Sequence, residues 1–472
     1  MSRPRVVILG GGPAGVGAAA RLAVAGAAEV TLLEQNELLG GNAGSFPIAG
    51  FRADFGSHRL HPACDPEILR DLQALLGPDL LDRPRDGRIR LQGRWIGFPL
   101  RPLDLALGLP PSFLAGAAWD AASKPFRAAA TPENFATVLE RGLGRTICRS
   151  FYFPYAEKIW GLSPAALSAT QARRRVSAGS PAKLIRKVLG AVPAFRKPGA
   201  GRFFYPRGGF GRISEELGRQ AETAGARILI GARVGKLERE GDRIVAVGFE
   251  RKGQPERLEA EQFFSTLPAS LAVRLQDPPP PASILTAADS LRFRSMLLIY
   301  LVIDRQQYTR WDAHYFPEAA LRITRLSEPK NYSASTEPAG RTLLCAELPC
   351  DADDAVWASS DDDLARLVVE DLCQAGLPDP GRPARVAVQR LRFAYPIYEP
   401  SAEEAFATID RWLGTLDRFV SFGRQGLFAH DNTHHALAMA YAAARCLRPD
   451  GGWDAASWAE ARRRFESHVV ED

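Results

Sequence analysis

Cysteine is scarce in this chain and follows no pattern. The six cysteines, at 64, 148, 345, 350, 373 and 446, include no C-x-x-C pair and no spacing with histidine that would close a metal site. They read as reduced and structural, which argues against a disulfide framework. Histidine is nearly as sparse, at seven. His58 with His61, and His430 with His434 and His435, stand close in sequence, but neither group brings a closing ligand set, so no metal is expected. Long apolar runs are missing too. The best candidate, "PLDLALGLPPSFLAGAAW" at 102–119, is broken by Asp104, Pro110 and Pro111 and is too interrupted to span a bilayer. It reads as a buried core segment, with a substrate tunnel or a membrane surface as the competing readings. Low-complexity tracts and internal repeats are absent. The chain enters its first apolar run at once, with no room for a signal peptide, so the cytoplasm is the expected compartment, with the inner face of the membrane as a peripheral position.

Lysine is the last scarcity, at 8 of 60 basic residues, and the net charge of +6 is mild. The balance is uneven along the chain. From Arg173 to Arg212 there are eleven Lys or Arg and no Asp or Glu. Such a stretch repels itself unless it is well solvated or faces an anion, which leaves a solvated face, a phosphate-bearing substrate or an anionic membrane surface. Nucleic acid is not expected, because no nucleic-acid-reading module accompanies the charge. A small anionic substrate is the expected partner, and a homodimer is an open expectation.

What is present begins at "VVILGGGPAGVGAAARL", residues 6–22. Val6 to Leu9 form an apolar run suited to a strand buried on both faces of a parallel sheet. Gly10, Gly12 and Gly15 follow as G-x-G-x-x-G: Gly10 for a tight turn, Gly12 for approach to a diphosphate, Gly15 for close helix packing. Pro13 and Ala14 open an Ala-rich helix whose N-terminal N–H groups face the anion. A second strand, "EVTLLE", ends in Glu34, 19 residues beyond Gly15, where a carboxylate is wanted for the ribose hydroxyls. Strand, glycines, helix, strand and acid in this order predict a dinucleotide site.

Further on, residues 63–200 read as mostly helical, including "DPEILRDLQALLG" and "PENFATVLERGLGRTICRSFYFPYAEKIW". Alternation returns at 226–250, with a hairpin turn at 240–243. "EQFFSTLP" at 261–268 reads as a strand rejoining the first sheet. "RSMLLIYLVID", "RTLLCAEL" and "VAVQRLRFAYPI" are strands of a second region, and the chain closes with a strand, a Gly-bearing loop and an Ala-rich helix. The reading is an α/β protein with a discontinuous cofactor domain (1–62, 201–290 and 415–455), an inserted mixed α+β substrate domain (63–200 with 291–414) and a C-terminal helix at 456–472. A fingerprint whose sheet is revisited at the middle and end of the chain suits FAD better than NAD.

These residues also carry a family resemblance. "GGGPAGVGAAARL", the Glu34 strand and "LLGGNAGS" resemble the opening of the FAD-dependent amine oxidase, protoporphyrinogen oxidase and phytoene desaturase superfamily, which implies a Rossmann-type FAD domain of the GR2 flavoprotein type. The resemblance places Gly40, Gly41 and Asn42 along the flavin diphosphate and Val234 at the adenine. It sets Gly423, Arg424, Asn432 and Thr433 at the helix that closes on the flavin. "FGSHRLHP" (55–62), "FPYAEKIWGLSPAALSA" (153–169), "FFYPRGGFGRISEEL" (203–217) and "GRQGLFAHDN" (423–432) resemble, in order, the landmarks of the UDP-galactopyranose mutase branch. That likeness implies roles for Ser57, His58 and Arg59 near the cofactor, and for Tyr155, Trp160, Arg174, Arg424 and His58 in catalysis, while "RFAYPIYEP" (392–400) reads as running from the substrate sheet toward the flavin, which makes Tyr395, a catalytic candidate, and Tyr398 the best aromatic candidates. Arg207 and Arg294 are further arginine candidates. Two departures stand out. "RRRVSAGS" puts Ala178 where the mutases carry a second arginine, and His434 stands where they carry a carboxylate.

Three functions follow from these observations. The first is an FAD-dependent oxidoreductase that takes a hydride from a phosphorylated, sugar-linked or polycyclic substrate, the flavin supplying the chemistry. The second, implied by the mutase likeness, is a nucleotide- or lipid-linked-sugar mutase using reduced FAD N5 as nucleophile, with arginines stabilising the departing diphosphate. The third is a flavin-bound partner protein without turnover. Trp95, Phe98, Tyr205 and Phe293 are further aromatic candidates for the pocket, with Phe98 and Phe293 read as core.

Overall fold

The computed structural model describes residues 3–100, 102–124, 132–175 and 201–470. Strand Arg5–Leu9 divides its side chains between two cores. Val6 and Ile8 pack with helix Pro13–Val24, whereas Val7 and Leu9 enter the opposite layer. Two-sided burial is what an uninterrupted apolar run requires. The sheet around it is parallel throughout, in the order Phe419–Ser421, Gln262–Ser265, Arg5–Leu9, Glu29–Leu33, Arg227–Leu229. Segments from the beginning, middle and end of the chain therefore meet in one sheet.

Helices Pro13–Val24, Arg212–Thr223 and Thr433–Cys446 share the core on one face. At Gly17 a Cβ would lie 2.8 Å from Leu437 Cδ2 and 3.2 Å from Ala440 Cβ, so the small residues of this Ala-rich helix are what allow the close approach. The other face carries a four-stranded sheet, Gln254–Glu259, Arg243–Arg251, Ala232–Glu240, Gln276–Asp277, whose expected hairpin forms with Glu240 opposite Arg243. Helices Ala282–Ser290 and Pro400–Leu413 complete that layer. The latter lies within 291–414, yet Ile409 and Leu413 pack with Val7 and Phe263 of the parallel sheet.

A second, seven-stranded sheet runs in the order Arg385–Pro396, Phe293–Ile303, Thr342–Cys350, Arg325–Ser327, Ala313–Tyr315, Gly87–Leu91, Arg94–Phe98. The predicted helices Pro66–Leu76, Phe135–Leu143 and Phe153–Trp160 form. Residues 80–98 correct the expectation of a mostly helical 63–200. Leu80–Pro84 pairs with Arg202–Pro206, and the next two strands form a hairpin. The strand "GRIRL" alternates as a half-buried strand does, with Ile89 and Leu91 buried and Arg88 and Arg90 at the outward positions, over the rings of Trp311 and Trp95.

Two further expectations fail. Within 102–119, Leu109 and Phe113 are buried, but Leu107 is 79% and Trp119 74% exposed, so this is not a wholly buried segment. The C-terminal helix spans Ala455–Phe465 rather than 456–472. Beyond it His468 Nδ1 bonds Asp431 Oδ2 (3.0 Å) and the Val470 N–H donates to the Arg174 carbonyl (2.8 Å), and these tertiary bonds replace continued helix. Ala178 and most of the basic run 173–212 lie outside the described residues.

Candidate active site

The glycine loop is shaped by contacts that exclude side chains. A Cβ on Gly15 would stand 1.9 Å from the Gly10 carbonyl oxygen, and Gly10 itself holds φ +100°. A Cβ on Gly12 would meet nothing within 4 Å, so the N-terminus of helix Pro13–Val24 opens onto free space. The Gly40 N–H donates to the Gly11 carbonyl (2.8 Å), and a Cβ on Gly41 would lie 3.4 Å from Gly12 Cα, which folds the Gly40–Gly41 pair against the loop. Glu34 Oε2 accepts from the Gly11 N–H (2.7 Å), and its Oε1 accepts from the Asn36 N–H (2.8 Å) and Nδ2 (2.7 Å), so the buried acid also fixes the loop. A Cβ on Gly423 would come within 2.9 Å of Ala14 Cβ, bringing the closing loop to the opening helix. Backbone donors, a helix N-terminus and the absence of side chains make a cradle that fits the diphosphate of a dinucleotide. Val234 is half-buried on strand Ala232–Glu240.

The strand Arg385–Pro396 joins the second sheet to this region. Asn42 Nδ2 (3.0 Å) and Gln425 Nε2 (2.7 Å) both donate to the Phe393 carbonyl, and Arg424 Nη2 donates to that of Ala394 (2.6 Å). Around this junction three arginines converge. The Arg424 guanidinium carbon stands 5.3 Å from the Tyr395 ring centre. That of Arg175 stands 5.5 Å from Tyr395 and 5.8 Å from Trp160, and that of Arg174 stands 5.6 Å from Tyr398. Arg174 also donates to the Tyr398 hydroxyl (3.1 Å). His430 sits among these rings, stacked on Tyr395 at 5.9 Å and edge-on to Tyr398 (5.1 Å) and Trp160 (6.1 Å). The Pro396 backbone lies beside its ring, and among the described residues neither ring nitrogen makes a hydrogen bond of full geometry. Burial first, then Arg175, Arg424 and Arg174, push its pKa well below the usual 6.5, so it is neutral at pH 7. Burial and the proximity of Arg175 lower that of Arg424. Among the described residues no carboxylate lies in ion-pair range of these three arginines.

Other residues singled out from sequence serve different ends. Tyr155 stacks on Phe151 (5.8 Å). Gly161, at φ +68°, leaves room for Arg294, whose Nη1 would be 2.6 Å from a Cβ there and which pairs with Asp351 (2.7 Å). Lys158 donates to the carbonyls of Phe316 (2.5 Å), Ile323 (2.6 Å) and Glu318 (3.3 Å), tying the Tyr155–Trp160 helix to the loop before Arg325. His58 turns inward, bonded to the Phe55 carbonyl (2.8 Å) and stacked on Phe210 (5.4 Å). The Ser57 N–H donates to Glu347 Oε1 (2.8 Å), and its hydroxyl bonds that of Tyr332. Arg59 lies between the hydroxyls of Tyr315 and Tyr332. Tyr205 is core, its hydroxyl on Asp54 Oδ2 (2.7 Å), and Arg207 forms an exposed pair with Asp79 (3.2 Å). Asn432 caps helix Thr433–Cys446, of which Thr433 is the first residue.

Sequence reasoning missed Arg175, His430 and Arg325. Arg325 makes a two-point bond to Glu347 (2.9 and 2.8 Å) and neighbours Tyr395, Tyr315 and Tyr155. Its only signal was an arginine inside a three-residue strand. The structure also brings Asp431, His435 and His468 within 4.8 Å of one another, a grouping that needs a residue from the C-terminal segment.

A parallel sheet with a glycine-loop cradle, closed by a helix from the chain's far end, defines an FAD-binding α/β flavoprotein, and the cofactor is FAD. The chain belongs to the flavin containing amine oxidoreductase family, whose model matches residues 13–405. It is similar to the phytoene dehydrogenase of Streptomyces griseus, 29% identical over 282 residues, which are 53% of this chain and 52% of that protein; the chain thus spans about half the length of the curated relative it matches. Its fold superposes on a reduced UDP-galactopyranose mutase with a TM-score of 0.80 at 20% identity, covering 99% of this chain and 100% of that one. A proposed protoporphyrinogen oxidase from Exiguobacterium sp. 255-15 gives 0.69 at 22% identity, covering 94% and 98%. Among the described residues no helix is long and apolar enough to cross a membrane.

Proposed function

We propose that this protein is an FAD-dependent oxidoreductase of the protoporphyrinogen oxidase or amine oxidase type acting on an anionic substrate, with a substrate domain inserted into a discontinuous cofactor domain. The observation that carries this reading is the grouping of Arg174, Arg175 and Arg424 around Trp160, Tyr395 and His430. Gathering like charges in a partly desolvated place is unfavourable until an anion joins them. Gly10, Gly12, Gly15, Gly40 and Gly41 would hold the diphosphate of FAD, which when bound supplies a hydride acceptor or, reduced, a nucleophile.

The chain's own residues bind, orient and exclude water. The arginine forks fix a phosphate or carboxylate by paired hydrogen bonds. Trp160 and Tyr395 present flat faces against which a ring or sugar packs. His430, kept neutral by burial and the three arginines, offers the substrate a ring face and an uncharged hydrogen-bonding group.

A second reading, a nucleotide- or lipid-linked-sugar mutase, draws on the number of guanidiniums: three exceed what one carboxylate needs and suit a diphosphate. Anaerobic mixing of oxidised protein with UDP- and TDP-sugars, porphyrinogens and amines tests both. Bleaching of the flavin band by an anionic member of the panel supports the oxidoreductase. Isomerisation of a nucleotide sugar by pre-reduced protein that stays reduced supports the mutase, and bleaching by uncharged or cationic compounds alone contradicts the anion reading.

A further inference from the structure

A second group of arginines, Arg59, Arg83 and Arg85, is not absorbed by the function proposed above. Arg59 Nη1 donates to the Tyr315 hydroxyl (3.1 Å) and its Nη2 to that of Tyr332 (3.2 Å). Arg85 Nη2 reaches the same Tyr315 oxygen (3.4 Å), and Arg83 Nη2 reaches the Asn331 carbonyl (3.4 Å). Arg83 is in strand Leu80–Pro84 and Arg85 immediately follows it, so the two-residue repeat turns both the same way. Aromatic faces carry the cations: Arg59 stands 5.2 Å over Phe203 and 4.9 Å over Tyr332, and Arg85 stands 4.5 Å over Phe98.

The charge is not balanced. Among the described residues the one carboxylate in ion-pair range of the group is Asp312, 3.5 Å from Arg59 Nη2, and its Oδ2 also accepts from the Asp86 N–H (3.2 Å). The Nε atoms of Arg59, Arg83 and Arg85 are all buried without a hydrogen-bond partner among the described residues. Arg325 shows what a structural arginine does in the same neighbourhood: it saturates its fork on Glu347. Idle buried guanidinium N–H groups are costly, and three in one place is a cost that an anion would remove. Tyr395 of the first arginine group and Tyr315 of this one lie on strands Arg385–Pro396 and Ala313–Tyr315 of the seven-stranded sheet, with three strands between them, so the two groups are separate.

We propose that Arg59, Arg83 and Arg85 form a second anion subsite, taking a phosphate or carboxylate of the substrate remote from the one held by Arg174, Arg175 and Arg424. The substrate class is thereby a molecule with two separated anionic groups, an inference that rests on the reading of the first arginine group.

Calorimetric titration of the FAD-loaded protein with pyrophosphate tests it. Two binding events are expected. The double variant Arg83→Gln/Arg85→Gln should weaken one of them about 10-fold or more and leave the other and the flavin spectrum unchanged, while Arg85→Lys, which keeps the charge, should stay within a few-fold of wild type. Arg175→Ala should weaken the other event alone. Where the double variant loses FAD, Arg85→Gln alone, which spares the bonds of Arg59, gives the same readout. A single event abolished by Arg175→Ala, or two events indifferent to Arg83 and Arg85, overturns the second subsite. Two events, one removed by Arg83→Gln/Arg85→Gln and neither by Arg175→Ala, overturn the first group's assignment and leave this subsite standing.

Discussion

The glycine loop and the arginine group at Trp160 both suit anions, but they are built in opposite ways. In the loop the donors are backbone N–H groups over a few consecutive residues, and the shape comes from side chains that are not there. In the arginine group the donors are long side chains from two separate helices, Ala169–Arg175 and Gly423–Gly426, seated on rings from other segments. Backbone donors can be spoiled only by adding bulk, whereas side-chain donors can be exchanged one at a time. A fold that keeps the first and varies the second would retain its cofactor while changing its substrate.

The sharpest way to break this contrast is to add bulk to the loop. Gly15→Val should cost about 3 kcal/mol or more, since its Cβ would overlap the Gly10 carbonyl, and the protein should purify with little flavin. Flavin content and a melting curve check this. Arg175→Ala should do the reverse, retaining FAD while lowering turnover on the natural substrate about 100-fold, measured as kcat/KM.

An effect of comparable size, spread over about two pH units, is expected where the closing helix carries its histidines. Burial lowers the pKa of His434 to about 4 and of His435 to about 2. Unfolded, both take up protons near pH 6.5, so below that pH the unfolded chain holds more protons and the fold loses stability. The loss runs from 6.5 down to about 4 for His434 and to about 2 for His435, at up to about 1.4 kcal/mol per pH unit for each group. Urea denaturation between pH 7 and 4.5 should show that slope, and His434→Gln should flatten it. The smallest effect belongs to Glu34→Ala. It should weaken FAD about 10-fold, since the acid supports the Gly11 N–H and stands at the position where the fingerprint expects a carboxylate for the ribose.

The loop was legible because its logic is local: strand, glycines, helix and acid fall within residues 5–34, and each spacing has a steric reason. The arginine group was legible only in part. Trp160, Arg174 and Arg424 came through resemblance, but Arg175 had no mark to set it apart from the arginines beside it. His430 was read only as a metal candidate, because its aromatic neighbours lie far off in sequence. The strands at 80–98 are short and lie between helices, so the alternation of "GRIRL" was passed over, and the bond from His468 to Asp431 spans 37 residues, beyond any local pattern.

The central claim is that the flavin faces an anionic substrate held by Arg174, Arg175 and Arg424. Its most direct test is anaerobic reduction of the bound flavin by whichever compound bleaches it, repeated with increasing pyrophosphate. The account predicts that the compound is an anion and that pyrophosphate slows bleaching competitively in the wild type and far less in Arg175→Ala. Bleaching by a cationic amine at a rate indifferent to pyrophosphate and to Arg175 would contradict it.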